Sequence, residues 1–120
     1  MNTSYHRLTL DLNAQDSMEY VPVRKGDTAK GLSVRFAGSG TPYAISEGTT
    51  AVLAARKPDG TYIYADCTVN SNTVTVTLPA ALTAAAGMVP ACIRMSGDGA
   101  ALISPTFIIC VTEPAAPAQT

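Results

Sequence analysis

Apolar and polar residues alternate along most of the chain, at the spacing of two that sends successive side chains of a strand to opposite faces. The clearest case places Leu32, Val34 and Phe36 on one face and polar or charged neighbours on the other. The same alternation predicts eight strands, over residues 5–12, 20–24, 31–37, 50–56, 61–69, 73–78, 88–95 and 101–111.

Three segments add detail to this pattern. Residues 50–56 are apolar on both faces, which predicts a central strand with something packed on each side. Pro22 lacks a ladder donor and therefore favours an edge position for residues 20–24. The one stretch with helical propensity begins at Pro79 and ends at Gly87, and it predicts a single short helical turn.

Turn residues separate the predicted strands. In Lys57-Pro58-Asp59-Gly60 the proline presets its φ, the aspartate bonds the following amides and the glycine tolerates a positive φ, so a hairpin is expected. Short strands separated by such turns predict an all-β chain, an antiparallel immunoglobulin-like β-sandwich of about eight strands with one short helical turn. We expect this domain to span residues 1–112, followed by a flexible Pro/Ala-rich tail over residues 113–120.

Composition narrows the classes of partner. With 120 residues, 47% hydrophobic and 14% charged, the chain is long and apolar enough for one core. Eight basic against nine acidic residues give no general electrostatic basis for binding nucleic acid or an anionic membrane, and we expect neither partner. Residues 1–20 lack the apolar run of an export signal, and the apolar stretch 80–93 is too short to span a bilayer.

No catalytic or metal-binding constellation is evident in the sequence. His6 is the single histidine, and the three cysteines form no CxxC pair, so reduced thiols are expected. Most acidic residues fall at turns, while Asp11 and Asp66 lie on strand faces that we assign to solvent. We therefore expect no catalytic residue, no metal, no cofactor and no enzyme activity.

Four side chains are candidate protein contacts. Tyr62 and Tyr64 share one strand face, where they either pack across the sheet, lie under a partner or form a small platform for a sugar. Arg24 and Lys25 are the other two candidates, as members of an intermolecular contact.

A family resemblance rests on the order of several motifs. The segments concerned are Lys25-Gly26-Asp27, Thr41-Pro42-Tyr43-Ala44-Ile45, Arg56-Lys57-Pro58-Asp59-Gly60, residues 74–87, Ile93-Arg94-Met95-Ser96-Gly97-Asp98-Gly99 and Phe107-Ile108-Ile109-Cys110-Val111. In this order and spacing, over residues 5–111, they resemble the amino-terminal domain of phage baseplate upper proteins, from tailed phages of Gram-positive bacteria.

The resemblance implies a structural role in the virion. It implies a β-sandwich that docks onto the tail baseplate and connects the distal tail hub to receptor-binding proteins, after synthesis in the cytoplasm of the bacterial host. A small sandwich of low charge with an unpaired edge can also pack against identical copies, so a homo-oligomer is expected. The alternative is an immunoglobulin-like carbohydrate or cell-surface binding module with Tyr62 and Tyr64 as its platform.

Overall fold

The alternation in the sequence becomes ten strands in the computed structural model, which describes residues 4–13, 18–97 and 99–113. A flexible tail is predicted for residues 113–120; apart from Glu113, these lie outside the described residues. The strands are β1 (Ser4–Asp11), β2 (Tyr20–Arg24), β3 (Lys30–Gly38), β4 (Thr41–Pro42), β5 (Thr50–Arg56), β6 (Tyr62–Asn70), β7 (Thr73–Thr77), β8 (Gly87–Gly97), β9 (Ala100–Ile103) and β10 (Phe107–Thr112).

The strands form one hydrogen-bonded path in the order β1-β3-β7-β6-β5-β8-β10-β2, with β4 added beside β3 and β9 beside β8. Strand β6 joins the two halves, because residues 62–67 pair with β5 and residues 68–70 pair with β7. The resulting sheet is mixed and curls nearly into a barrel. The predicted all-β class is confirmed, whereas the immunoglobulin-like sandwich is not.

The expectation of purely antiparallel pairing is wrong at both ends of the path. Strand β1 runs parallel to β3, and β2 runs parallel to β10, while the other pairs are antiparallel. The reason is the order of the strands. After β1 the chain crosses to the opposite end of the path, where it forms β2, and it then crosses back to form β3 beside β1 in the same direction. Alternation cannot reveal this, because a strand buries the same face whichever way its neighbour runs.

One apolar core lies inside the curled sheet. Leu32, Val34 and Phe36 are buried, as their alternation predicts. On β6, Ile63 and every second residue after it point toward the same core and are partly buried against it. A fully buried aliphatic or aromatic side chain contributes about 1.5–3 kcal/mol, so this shared interior is the main source of stability. The side chains with no exposed surface are Leu32, Val34, Leu53, Val74, Val89, Ile93, Phe107 and Ile109.

The helical turn predicted between Pro79 and Gly87 is not formed; the segment is a series of turns. The amide of Leu82 bonds the carbonyl of Pro79 at 3.0 Å, which closes one turn. The carbonyl of Thr83, four residues after Pro79, accepts a distant bond from the amide of Gly26 at 2.9 Å. The buried Thr83 hydroxyl also donates to the carbonyl of Asp27 at 2.7 Å. This long-range anchoring to the β2–β3 turn outweighs the helical propensity of the alanines.

The last predicted strand, residues 101–111, is divided into β9 and β10. Ser104 is buried at the break, where its amide bonds the carbonyl of Ile93 and its hydroxyl accepts from the Ile93 amide, each at 2.9 Å. Pro105 follows and has no amide hydrogen to continue a ladder. Strand β8 therefore pairs with β10 over its first half and with β9 over its second.

The hairpin between β5 and β6 forms as predicted. The amide of Gly60 bonds the Lys57 carbonyl at 2.9 Å, and Gly60 adopts a φ of +91°, which favours glycine. The Asp59 carboxylate accepts bonds from the Thr61 hydroxyl at 2.6 Å and from the Thr61 amide at 3.0 Å. These bonds, the hydroxyl first, hold the pKa of Asp59 below its usual value.

Asp11 holds the β3–β4 turn. Its carboxylate accepts from the amides of Asn13 at 2.9 Å, Ser39 at 3.0 Å and Gly40 at 2.8 Å. Asp11 lies on the outward side of β1, where it is half-buried, and Asp66 on β6 is exposed, in agreement with the outward faces assigned to both from the sequence. The Ser39 and Gly40 amides belong to the turn, and two bonds to one charged acceptor constrain it strongly, because bonds to a charged acceptor are the stronger kind.

Replacing Asp11 by Asn is expected to destabilise the fold by about 1–3 kcal/mol, because a neutral amide accepts these backbone bonds more weakly and adds an unmatched donor. The measurement is chemical denaturation of the full chain. Asp66→Asn serves as the matched control, since it changes the same group on an exposed strand position, and a shift within about 0.5 kcal/mol is expected. Equal effects of the two substitutions would contradict the assigned role of Asp11.

Candidate protein-binding face

The curled sheet presents two outward surfaces of different chemistry. The outward side of β1, β3 and β7, named here the threonine face, is covered by hydroxyl side chains and two arginines, Arg7 and Arg35. The outward side of β6, β5, β8, β10 and β2, with the end of β9, is named the tyrosine face. Five large apolar side chains in the described residues are more than half exposed, and all five lie on the tyrosine face: Tyr20, Tyr62, Tyr64, Met88 and Ile103. The threonine face has one large apolar side chain of similar exposure, Tyr5 at 49%.

Tyr62 and Tyr64 stand on β6 and form one wall of a groove of about 290 Å³. Their exposed fractions are 61% and 59%, so cross-strand packing does not cover them. Ile103 lines the groove beyond β8, and it lies directly opposite Arg94 across the β8–β9 pair.

Small side chains make the floor of the groove low. Ala54 on β5 lies directly opposite Tyr64 on one side and Cys92 on the other. An alanine flanked by a tyrosine leaves a step in the surface at this position. The double-sided apolar pattern of β5 thus produces a fully buried inward row and a half-buried outward row that nothing in the described chain covers completely.

The four candidate contacts do not form one cluster. Strands β5, β8 and β10 separate the two tyrosines on β6 from Arg24 at the end of β2. Lys25 lies just after β2, where its Nζ is 3.4 Å from Oε1 of Glu113, the one ion pair among the described residues. Arg24 remains on the outward side of β2, at the far margin of the tyrosine face.

Sequence reasoning missed the charged members of the groove. Arg56 lies directly opposite Tyr62, and Arg94 lies two residues beyond Cys92 on β8; both line the groove and both are exposed. One sequence signal could have located them. Arg94 follows the outward apolar residues 88–92, and Arg56 ends strand 50–56, which is apolar on both faces. These two rows are brought side by side only by the pairing of β5 with β8.

The three cysteines are free thiols on strands, and each is half-buried. Burial raises the pKa of Cys67, which faces inward, to about 11, and it also raises the pKa of Cys92. Cys110 lies across from Met88, with 3.4 Å between the two sulfurs. Because the thiolate is the reactive form, Cys67 is a poor nucleophile at neutral pH.

In the variant Cys92→Ala/Cys110→Ala, where Cys67 is the sole thiol, we expect the rate of alkylation by iodoacetamide to rise with pH toward a midpoint of about 11. The raised pKa keeps the neutral thiol dominant at lower pH. The same variant unfolded in urea is the control, with its midpoint near the ordinary value of 9.0, and circular dichroism verifies folding at each pH. A midpoint near 9.0 in the folded chain would contradict the burial of this thiol.

Other kinds of site were sought in the same residues. His6 lies half-buried on β1. Within residues 4–13, 18–97 and 99–113, no group of three or more His, Cys, Asp or Glu side chains is placed to hold a metal ion. That part of the chain also contains no helix long and apolar enough to cross a membrane.

Comparison with known proteins places the chain by its fold. No protein-family model matches the chain, and no curated protein sequence matches it. Among solved structures, the chain is similar in fold to the N-terminal domain of phage TP901-1 ORF48, with a TM-score of 0.70 and 14% sequence identity, covering 90% of this chain and 98% of that one. The resemblance drawn from the sequence motifs is thereby confirmed at the level of the fold.

Proposed function

We propose that this chain is a noncatalytic structural domain of a phage tail baseplate, which docks onto the distal tail hub and links it to receptor-binding proteins. The observation that carries this proposal is the fold likeness to the N-terminal domain of phage TP901-1 ORF48, which extends over 90% of the chain. The ordered motifs of the sequence agree with it, because they lead to the same family of phage proteins.

The tyrosine face supports a docking role. An apolar surface of this kind is unusual on a protein that remains alone in water and is typical of an interaction site. Tyrosine and arginine are also the side chains enriched at the centres of protein interfaces, and both types line this groove. A virion component stays assembled, so an apolar surface that is covered in the virion is exposed to water only during the short time before assembly.

Association with identical copies belongs to the same proposal. Strand β1 is at one end of the strand path, and among the described strands it pairs only with β3. Its other edge leaves backbone donors and acceptors available to a strand of a second copy. Edge pairing at β1 leaves the tyrosine face accessible to a different protein.

The test is incorporation into virions. We expect a tagged chain, expressed from the phage genome that encodes it, to be found in purified particles and to be labelled at the distal end of the tail. We also expect the purified chain to bind the distal tail protein of that phage, with sedimentation reporting its homo-oligomer. Particles without the chain, together with a purified chain that stays monomeric and binds neither the distal tail protein nor the receptor-binding protein, would contradict the proposal.

A second function, a carbohydrate or cell-surface binding module, is supported by one observation. Tyr62 and Tyr64 are exposed side by side at the groove, and exposed aromatic rings are the usual platforms for sugar rings. The arginines of the groove, Arg56 and Arg94, provide donors for hydroxyl or acidic groups of a glycan.

Under this second function, a glycan array is expected to show selective retention of the chain, and Tyr62→Ala is expected to abolish it through loss of the stacking surface. Tyr43→Ala is the matched control, because Tyr43 is exposed but lies outside the groove. Absence of any retained glycan, or equal losses in the two variants, would remove this function from consideration.

A further inference from the structure

The tyrosine face has the composition of a surface that another molecule covers. It holds every large apolar side chain that is more than half exposed in the described residues. Beneath them, β5 and β8 contribute further outward apolar positions, Ala54, Pro90 and Cys92, which form part of the groove lining. A strand with apolar residues on both faces is typical of a strand that is covered on both sides, and here the described chain covers only the inner side.

The groove also has a definite charge. Arg24, Arg56 and Arg94 lie on the outward side of the strands of this face, and Asp66 on β6 is the single acidic residue on that side. Neither Arg56 nor Arg94 forms an ion pair within the described residues. The acidic residues Glu19, Asp27, Glu47, Asp59 and Glu113 all lie in turns and loops. The tyrosine face is therefore basic, although the net charge of the whole chain is −1.

These charges argue against a second copy stacked on the same face. Two identical tyrosine faces would bring arginines together, and such like-charge contacts oppose association. The groove is also narrow: its floor at Ala54 and Cys92 is two strands wide and lies between Tyr64 on β6 and Ile103 on β9. A narrow segment matches this groove better than a second sheet does.

We propose that the groove binds an extended segment of another protein in which apolar residues alternate with carboxylates. The apolar side chains of the segment lie between Tyr64 and Ile103 over the floor at Ala54, and its carboxylates meet Arg56 and Arg94. This inference rests on the proposed function, because it names the surface and the partner chemistry of the docking step. It excludes a second copy of this chain as the occupant of the groove.

The first experiment uses two synthetic peptides and the full chain. The peptides share the same alternating Leu, Phe and Val residues, and the intervening residues are Glu in one and Lys in the other. Titration followed by backbone amide chemical shifts is expected to move resonances of β5, β6 and β8, and the Glu peptide is expected to bind about tenfold more tightly than the Lys peptide, as two exposed ion pairs allow. Equal affinities, no binding, or shifts confined to the threonine face would overturn the proposal.

Variants identify the residues responsible. Arg56→Glu/Arg94→Glu is expected to reverse the preference, so that the Lys peptide binds more tightly. Arg7→Glu/Arg35→Glu makes the same change of charge on the threonine face and is expected to leave the preference for the Glu peptide intact. Thermal unfolding of both variants verifies that each is folded. If Arg56→Glu/Arg94→Glu does not fold, Arg56→Gln/Arg94→Gln replaces it, and this variant is expected to lose the preference for the Glu peptide; a preference that persists in it would overturn the proposal.

The second experiment separates this inference from the proposed function. The same two double variants are placed in the phage genome, and incorporation into virions is compared with that of the unaltered chain. We expect at least a tenfold loss for Arg56→Glu/Arg94→Glu and little loss for Arg7→Glu/Arg35→Glu. If the unaltered chain enters virions and both variants do so equally, the groove is wrong and the structural function stands. If the unaltered chain is absent from virions, the proposed function fails, and the peptide preference alone decides the chemistry of the groove.

A second copy as the occupant is a measurable outcome that would also overturn the inference. Sedimentation of the purified chain would then show a dimer that Tyr64→Ser disrupts. Association that persists in Tyr64→Ser is expected instead for pairing through the edge of β1, and it is compatible with a free groove.

Discussion

Burial of one side of each long strand in a single core is the constraint on which the rest of this structure depends. The interior is closed by inward residues from both halves of the sheet, among them Leu32 on β3, Leu53 on β5 and Phe107 on β10. Strand β6 makes this possible, since it pairs with β7 at one end and with β5 at the other. Once the inward positions are committed to the core, only the outward positions are free to differ.

The outward positions have differentiated into two surfaces. The threonine face carries hydroxyl groups and two arginines, a surface that is well solvated in isolation. The tyrosine face carries exposed aromatic and aliphatic side chains with unpaired arginines around a low floor. Nothing in the packing of the core demands the second surface, and exposing it to water is unfavourable. Contact with another molecule would remove this cost, and for this reason we assign the proposed docking step to the tyrosine face.

Three polar anchors help to determine the path of the chain between the strands. Asp11 fixes the β3–β4 turn through the amides of Ser39 and Gly40, and Thr83 ties the segment after β7 to the turn after β2. Ser104 has a similar role at the break between β9 and β10. All three side chains bond backbone groups that are distant in sequence, and two of them override a local preference: a helical turn for residues 79–86 and a continuous strand for residues 101–111.

The sequence by itself determined the all-β class, the burial of alternate residues and the Lys57–Gly60 hairpin, because alternation and turn chemistry act between residues that are close along the chain. It also singled out Tyr62 and Tyr64 as exposed neighbours. Only the tertiary structure decided that β1 and β2 pair in parallel with distant strands and that Arg56 and Arg94 line one groove with those tyrosines. Strand order is chosen by long-range packing, and a face shared by five strands draws its members from segments that no local pattern connects.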